Sequence, residues 1–296
     1  MIQTLDDKLV AMEIEGYCVV EGVIPAAEVG GVRQSIYETL DAAGGSLPGS
    51  MLLNHNQAIA PYLAHKRVLE VPEAFWGPFP NTRIGAIGLL RLEPNPDGEP
   101  AAPGGYHCDW PYGSNQGSFV APPKPDVCMN MPCFYMLTDF TRQNGATVVV
   151  PGSHRHGDNP NGNPNLRRAR LSEVQVTGKA GSVLLLDGRI WHKGGSNYSS
   201  ERRMFAGVSH VPWWLNCHAR RPFSVEHRIW KEAGLIPSGH WPYIRADVYD
   251  RLPADVQPLV RHWVDREWVM TQEDSEATIM NTSYLAPMNR MRIACL

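Results

Sequence analysis

Asn144-Gly145-Ala146-Thr147-Val148-Val149-Val150-Pro151-Gly152-Ser153-His154 reads as a tight turn, a short strand and a break. Asn-Gly supplies the positive φ angles of a hairpin turn. Thr and three Val residues are β-branched and favour an extended, buried backbone. Pro-Gly then ends the run, because Pro cannot donate to a ladder. The same punctuation recurs on both sides. Residues 84–92, 126–139, 182–186 and 203–211 are β-like, and Asp187-Gly188 closes the third of these runs. Short strands at this spacing, without helical patterns between them, predict a mainly β fold, a sandwich or a squashed barrel. The 27 Gly and 25 Pro residues suit such a turn-rich chain better than a helical one.

Helical patterns flank this centre. Leu5, Leu9 and Met12 have helical spacing, and Tyr17-Cys18-Val19-Val20 follows as a short strand. Pro25 sits where a helix can begin. Val29, Val32, Ile36 and Leu40 then form one apolar stripe, which Gly44-Gly45 is expected to stop. A further helix is expected at about residues 60–71. Past residue 214 there are two modest helical patterns and no legible motif. The expected organisation is one domain over 1–296: helical support in 1–81, a β core in 82–214 and a helical extension in 215–296.

Bulk properties exclude some partners. A net charge of −3 gives no electrostatic reason to expect nucleic acid or an anionic membrane. No apolar run reaches membrane-spanning length, and the N-terminus lacks a basic start followed by an apolar stretch. Six scattered cysteines without a Cys-x-x-Cys pair read as reduced thiols of a cytoplasmic protein, with no zinc knuckle. A small molecule is the expected partner.

The chemistry-bearing residues are His107 and Asp109 in Gly104-Gly105-Tyr106-His107-Cys108-Asp109-Trp110, and His192 in Asp187-Gly188-Arg189-Ile190-Trp191-His192. Strand side chains alternate, so His107 and Asp109 would share a face while Cys108 points away. Two histidines and a carboxylate on one face form the facial triad of non-haem Fe(II). The remaining positions suit a chelating co-substrate and dioxygen, and an Arg beyond His192 suits the co-substrate's far carboxylate. Together they read as an iron- and 2-oxoglutarate-dependent oxygenase. Two arginines compete for that last role. Arg203, Phe205, Gly207 and Ser209 share one strand face, Arg202, Met204, Ala206 and Val208 the other, and periodicity alone leaves the inward face open.

The stretch from Asn144 to His154, followed by Trp191-His192 and Asn197, resembles the phytanoyl-CoA dioxygenase family. The opening Gly16-Tyr17-Cys18-Val19-Val20-Glu21-Gly22-Val23-Ile24-Pro25 is similar to that family's start, and the likeness covers roughly residues 15–215. It implies a double-stranded β-helix, a jelly-roll or cupin-like squashed barrel. It further implies Fe(II) on His107, Asp109 and His192, with 2-oxoglutarate as co-substrate and O2 as oxidant. By family spacing it implies Arg203 rather than Arg202 at the far carboxylate, with Thr147 beside the pocket. The implied reaction hydroxylates a C–H bond and releases succinate and CO2. Halogenating relatives replace the carboxylate ligand with a small residue, so Asp109 points to a hydroxylase, with desaturation or cyclisation still open. Where the family often has Gly or Ser after the distal His, this chain has Lys193-Gly194.

Trp110, Tyr112, Trp213 and Trp214 lie near the motif strands, as a substrate wall or as core. Two rival readings remain. His154-Arg155-His156-Gly157-Asp158 is similar to the His-x-His-x-Asp run of zinc hydrolases, but Asn159 replaces the next His and Pro151-Gly152 interrupts the approach. The alternative for His154 is a residue that fixes a turn. A non-catalytic ligand-binding barrel is the other rival, disfavoured by the complete triad and the Arg.

Overall fold

The computed structural model describes residues 3–43, 52–94, 105–111, 120, 122–160, 165–166, 172–217, 224–233 and 244–265. The expected stop at Gly44-Gly45 and the residue Tyr112 lie outside them.

Helix α1 (Leu5–Ile14) starts at a reciprocal cap, in which the Asp7 amide donates to Thr4 Oγ1 and the Thr4 amide donates to Asp7 Oδ2. This satisfies two amides that the first turn would otherwise leave unpaired. Strand β1 (Tyr17–Val20) follows, and α2 (Ala26–Ala42) begins directly after Pro25. The buried residues of α2 are Val29, Val32, Ile36 and Leu40, the predicted stripe. Each such side chain contributes about 1.5–3 kcal/mol of hydrophobic stabilisation. The helix expected over 60–71 is divided. A 3-10 turn spans Ala60–Tyr62, after the short α3 (Leu52–His55), and α4 runs over Lys66–Trp76.

Two sheets follow. The larger is antiparallel in the order β1-β6-β3-β8-β2, built from β2 (Thr82–Leu92), β3 (Met131–Met136), β6 (Val183–Leu186) and β8 (Arg203–Pro212). The smaller has the order β5-β4-β7, from β4 (Val148–Val150), β5 (Val174–Gln175) and β7 (Trp191–Lys193). Thus β1, although surrounded by helices in sequence, joins the larger sheet beside β6. Two layers of mostly antiparallel strands with helices packed outside form the predicted jelly-roll.

The central strands are buried on both sides. Met204, Ala206 and Val208 face the helices in one apolar cluster, whereas Phe205 joins Phe134, Leu184 and Val149 in a second. That is why alternation in β8 does not distinguish its faces: neither is solvated. The helix-side cluster also takes in Ile244, Val248, Leu259, Val260 and Trp263. These come from a C-terminal unit of β9 (Ile244–Arg245), α6 (Ala246–Tyr249), α7 (Gln257–Val260) and β10 (Val264–Asp265), with α5 (Val225–Glu232) before it. Trp263 Nε1 donates to the Ile84 carbonyl of β2, which ties this unit to the sheet. Among the described residues no helix is long and apolar enough to cross a membrane.

Candidate metal centre

His192 sits in the middle of β7, paired with Val149 of β4. Cross-strand partners share a face, and Val149 belongs to the interior cluster, so His192 points between the sheets. His107 was expected on a strand with Asp109. Instead it makes an isolated bridge: its amide donates to the His192 carbonyl (3.0 Å), and its carbonyl accepts the return bond from the His192 amide (2.9 Å). The Asp109 amide then donates to the Gly188 carbonyl at 2.8 Å. Pairing with the turn before β7, rather than a regular ladder, keeps the segment extended and preserves the alternation. Cys108 is indeed turned away, buried, with its thiol donating to Asn159 Oδ1 at 3.3 Å. Burial pushes that thiol up to about 11.

The three side chains converge. One ligand atom from each of His107, Asp109 and His192 lies within 4.8 Å of the others, the one such group of three among the described residues. The imidazoles have ring centroids 4.2 Å apart, and His192 Nε2 is 3.6 Å from Asp109 Oδ2. His192 Nδ1 donates to the Ile190 carbonyl at 3.1 Å, which leaves Nε2 as the nitrogen directed at Asp109. A backbone acceptor on the far nitrogen is the usual orienting device for a metal-bound imidazole. Burial opposes a proton on His192, but the Asp109 carboxylate outweighs it and raises the group above its ordinary value. Two imidazoles and one carboxylate that attracts positive charge fit a divalent metal.

Arg203 opens β8 on the interior face and is 5% exposed. Its Nη1 donates to the Gly145 carbonyl at 2.5 Å, and its guanidinium carbon lies 4.8 Å from the Phe140 ring and 5.4 Å from the Phe205 ring. Nε has no partner among the described residues, and no described carboxylate faces the group. Burial alone lowers it to about 10. A buried cation without a counter-charge is costly, and a planar fork with spare donors fits the carboxylate of a dicarboxylic ligand. Gly145, at φ 78°, makes this contact possible; a Cβ there would lie 2.7 Å from the Gly195 carbonyl oxygen. Arg202 is on the surface, with Nε donating to Glu93 Oε2 at 2.9 Å. Thr147 is buried just before β4, in phase with Val149 and therefore with the interior.

Other candidates fall elsewhere. Trp110 is 1% exposed and its indole N–H donates to the Val127 carbonyl at 2.9 Å, so the structure gives it a packing role rather than a place in a substrate wall. Trp213 and Trp214 are exposed beyond the end of β8, where the Trp213 amide donates to the Asn81 carbonyl. A fully extended strand places Trp213 roughly 30 Å from Arg203 at ~3.3 Å per residue. His154 Nε2 donates to the Glu13 carbonyl (3.1 Å), and its ring fills the space over Gly16, where a Cβ would lie 2.5 Å from Nδ1. His156 instead packs edge-on against Trp191 at 5.5 Å. His154, His156 and Asp158 do not form a metal-holding group, and His154 fixes a turn.

Residues that the sequence reading passed over support the triad. Asn130 Nδ2 donates to the Asp109 carbonyl (2.8 Å), and Phe134 places its ring 6.2 Å from that of His192. Arg189 clamps the turn before His192 through Asp187. The sequence signal for that clamp was Asp-x-Arg three residues ahead of the distal His.

Comparison with known proteins agrees with this geometry. Residues 92–205, which contain the triad and Arg203, match the model of the Phytanoyl-CoA dioxygenase (PhyH) family. "Dioxygenase andF" of Emericella variicolor is 32% identical over 173 residues, 57% of this chain and 54% of that protein. The chain thus spans about half the length of that relative. Solved structures share the fold. HygX from Streptomyces hygroscopicus, with nickel and 2-oxoglutarate bound, superposes with TM-score 0.55 at 17% identity, over 71% of this chain and 88% of that one. The epimerase SnoN from nogalamycin biosynthesis, in complex with Fe3+, alpha ketoglutarate and nogalamycin RO, gives 0.54 at 21% identity, over 70% and 83%.

Proposed function

We propose that this chain is an Fe(II)- and 2-oxoglutarate-dependent dioxygenase that hydroxylates an unactivated C–H bond of a small molecule. The observation that carries the proposal is the convergence of His107, Asp109 and His192 on the interior that also holds Arg203, a buried guanidinium without a counter-charge among the described residues. Both features fit ligands of the matched family, the triad a metal and the arginine a dicarboxylate.

When bound, the iron and 2-oxoglutarate supply the oxidising chemistry with O2, releasing succinate and CO2. The chain's own residues hold and exclude. His107, Asp109 and His192 would hold the metal. Arg203 anchors the far carboxylate of the co-substrate, with Thr147 beside it. Phe134, Phe140 and Phe205 line the way from His192 to Arg203 and keep it dry, which strengthens the charge pairing.

Features of β2 and β8 support a place for the substrate. On their interior face Ala86 pairs with Ser209, Gly88 with Gly207 and Leu90 with Phe205. Gly88, Gly207 and Ser209 are half-buried, and the side chain that lies over Gly207 is that of the exposed Leu90, which can give way, so the floor beside Phe134 can open to a ligand. An organic molecule rather than a nucleic acid suits this apolar floor and the net charge of −3. The single cluster from Met12 to Trp263 supports one domain with helical support on both ends of the β core. The five described cysteines are free and buried, which supports a reducing, cytoplasmic setting.

Anaerobically purified chain, loaded with Fe(II) and given O2 and 2-oxoglutarate, is expected to release succinate, faster with one class in a metabolite panel. Metal-dependent hydrolysis without succinate would instead support the hydrolase reading, and ligand binding without turnover a non-catalytic barrel.

A further inference from the structure

The turn from Asp187 to Ile190 touches both halves of the candidate metal centre through its backbone. The Gly188 carbonyl accepts the Asp109 amide at 2.8 Å, and the Ile190 carbonyl accepts His192 Nδ1 at 3.1 Å. A displacement of this turn therefore moves a carboxylate and an imidazole together. Gly188 has no room for a side chain, since a Cβ would lie 2.6 Å from the Asn130 carbonyl oxygen, which accepts the Gly188 amide at 2.8 Å.

A buried charged network fixes the turn. Asp187 Oδ1 accepts both the amide and Nε of Arg189 at 2.9 Å, and Oδ2 accepts Nη2 at 2.8 Å. Both side chains are nearly inaccessible, 2% and 7% exposed. The remaining arm of the guanidinium, Nη1, donates to Asp126 Oδ1 at 2.5 Å. Lys124 Nζ, also buried, donates to the Arg189 carbonyl at 3.0 Å. Asp126 and Lys124 lie in the segment that leads to Asn130, whose side chain donates to the Asp109 carbonyl. The network thus closes a loop from one ligand strand, through the turn, back to the other.

We infer that Arg189 is a positioning residue for the metal centre: its bidentate clamp on Asp187, with the Lys124 tether, holds Asp109 and His192 in the mutual geometry that binds the ion. This rests on the triad being a metal site. Arg189 contacts neither ion nor substrate in this account. It acts only through the carbonyls of Gly188 and Ile190. A lysine would keep the charge but lose the three-donor fork.

The test measures Co(II) affinity anaerobically by equilibrium dialysis and by the visible ligand-field spectrum, beside the melting temperature of the metal-free chain. Wild type is expected to bind one Co(II), and His192→Ala to lose it. Arg189→Lys is expected to weaken Co(II) about 10- to 100-fold, the range found for partners that orient metal ligands, and to change the spectrum. Asp126 is 89% exposed, so Asp126→Asn is expected to stay within about 3-fold of wild type, as a solvated contact should. Should Arg189→Lys fail to fold, Lys124→Met removes the tether alone, and a loss above about 3-fold with unchanged melting supports the inference on the same scale. Wild-type affinity and spectrum in the folded Arg189→Lys chain, or in Lys124→Met where that variant carries the test, would overturn it. A wild type that takes up no Co(II), or that keeps it in His192→Ala, would overturn the metal site itself.

Discussion

His107 and His192, far apart in sequence, exchange a reciprocal pair of backbone hydrogen bonds of 3.0 and 2.9 Å and hold their rings 4.2 Å apart. The bridge is what makes a site out of two separate motifs. Each bond constrains backbone, so the imidazoles are brought together before any ligand binds. That preorganisation is the arrangement a metal centre on rigid elements needs.

The two neighbouring arginines are expected to behave oppositely. Arg203→Ala removes the buried fork and leaves the co-substrate's far carboxylate unpaired, which costs about 3–5 kcal/mol, a factor of ~100 or more in 2-oxoglutarate affinity. Arg202→Ala breaks a surface pair with Glu93 and is expected to cost less than about 1 kcal/mol. The 2-oxoglutarate KM of the two variants decides between them, and a crippled Arg202→Ala would reverse the assignment. A thermal readout is independent of turnover: 2-oxoglutarate at a hundredfold excess over its Kd is expected to stabilise wild type by about 2.7 kcal/mol and Arg203→Ala far less.

Acid sensitivity is expected to come partly from His210. This residue is wholly buried on the helix side of β8, its Nδ1 lies 3.3 Å from Cys133 Sγ, and burial lowers it to about 4. Since the unfolded chain binds this proton at its ordinary value near 6.5, the unfolded state holds more protons between about 6.5 and 4. Stability is therefore full above that window and falls as pH drops through it, by ~3 kcal/mol for this one group. Denaturant melts of wild type and His210→Leu at several pH values are expected to show a smaller decline in the variant. Identical declines would remove His210 from the account.

The substrate floor is testable at Gly207, which pairs with Gly88 and with Phe134. A Cβ at this position would lie 2.9 Å from Leu90 Cδ1, the end of an exposed side chain that can give way. Gly207→Leu is therefore expected to fold, to keep 2-oxoglutarate affinity, and to lose substrate-stimulated succinate release by about 10-fold or more, from overpacking worth 1–3 kcal/mol. Unchanged stimulation would place the substrate elsewhere.

Much of this was legible in the residues. The stripe Val29, Val32, Ile36 and Leu40 is the buried face of α2, and the runs at 84–92 and 203–211 fall within β2 and β8. The grouping of His107, Asp109 and His192 was readable because metal chemistry demands particular residue types. What escaped the sequence was tertiary. Alternation in β8 gave no inward face, because helices cover one side and the smaller sheet the other. The His107 segment looked like a strand, yet its pairing is a single bridge plus a bond to a turn, which no propensity encodes. Trp110 and Trp213 have the same composition signal. One is packed with its N–H bonded to Val127 and the other is on the surface, a difference set by the ends of strands rather than by the residue.

The central claim is that one metal sits on His107, Asp109 and His192 and carries 2-oxoglutarate toward Arg203. Its most direct test is an anaerobic titration of 2-oxoglutarate into the Fe(II)-loaded chain, followed by the visible charge-transfer absorbance of the chelate. The account predicts a saturable band in wild type and in His156→Ala, a band lost in His107→Ala, Asp109→Ala and His192→Ala, and a band needing far more 2-oxoglutarate in Arg203→Ala. No band in wild type, or a band that survives loss of any triad residue while His156→Ala abolishes it, would contradict the account.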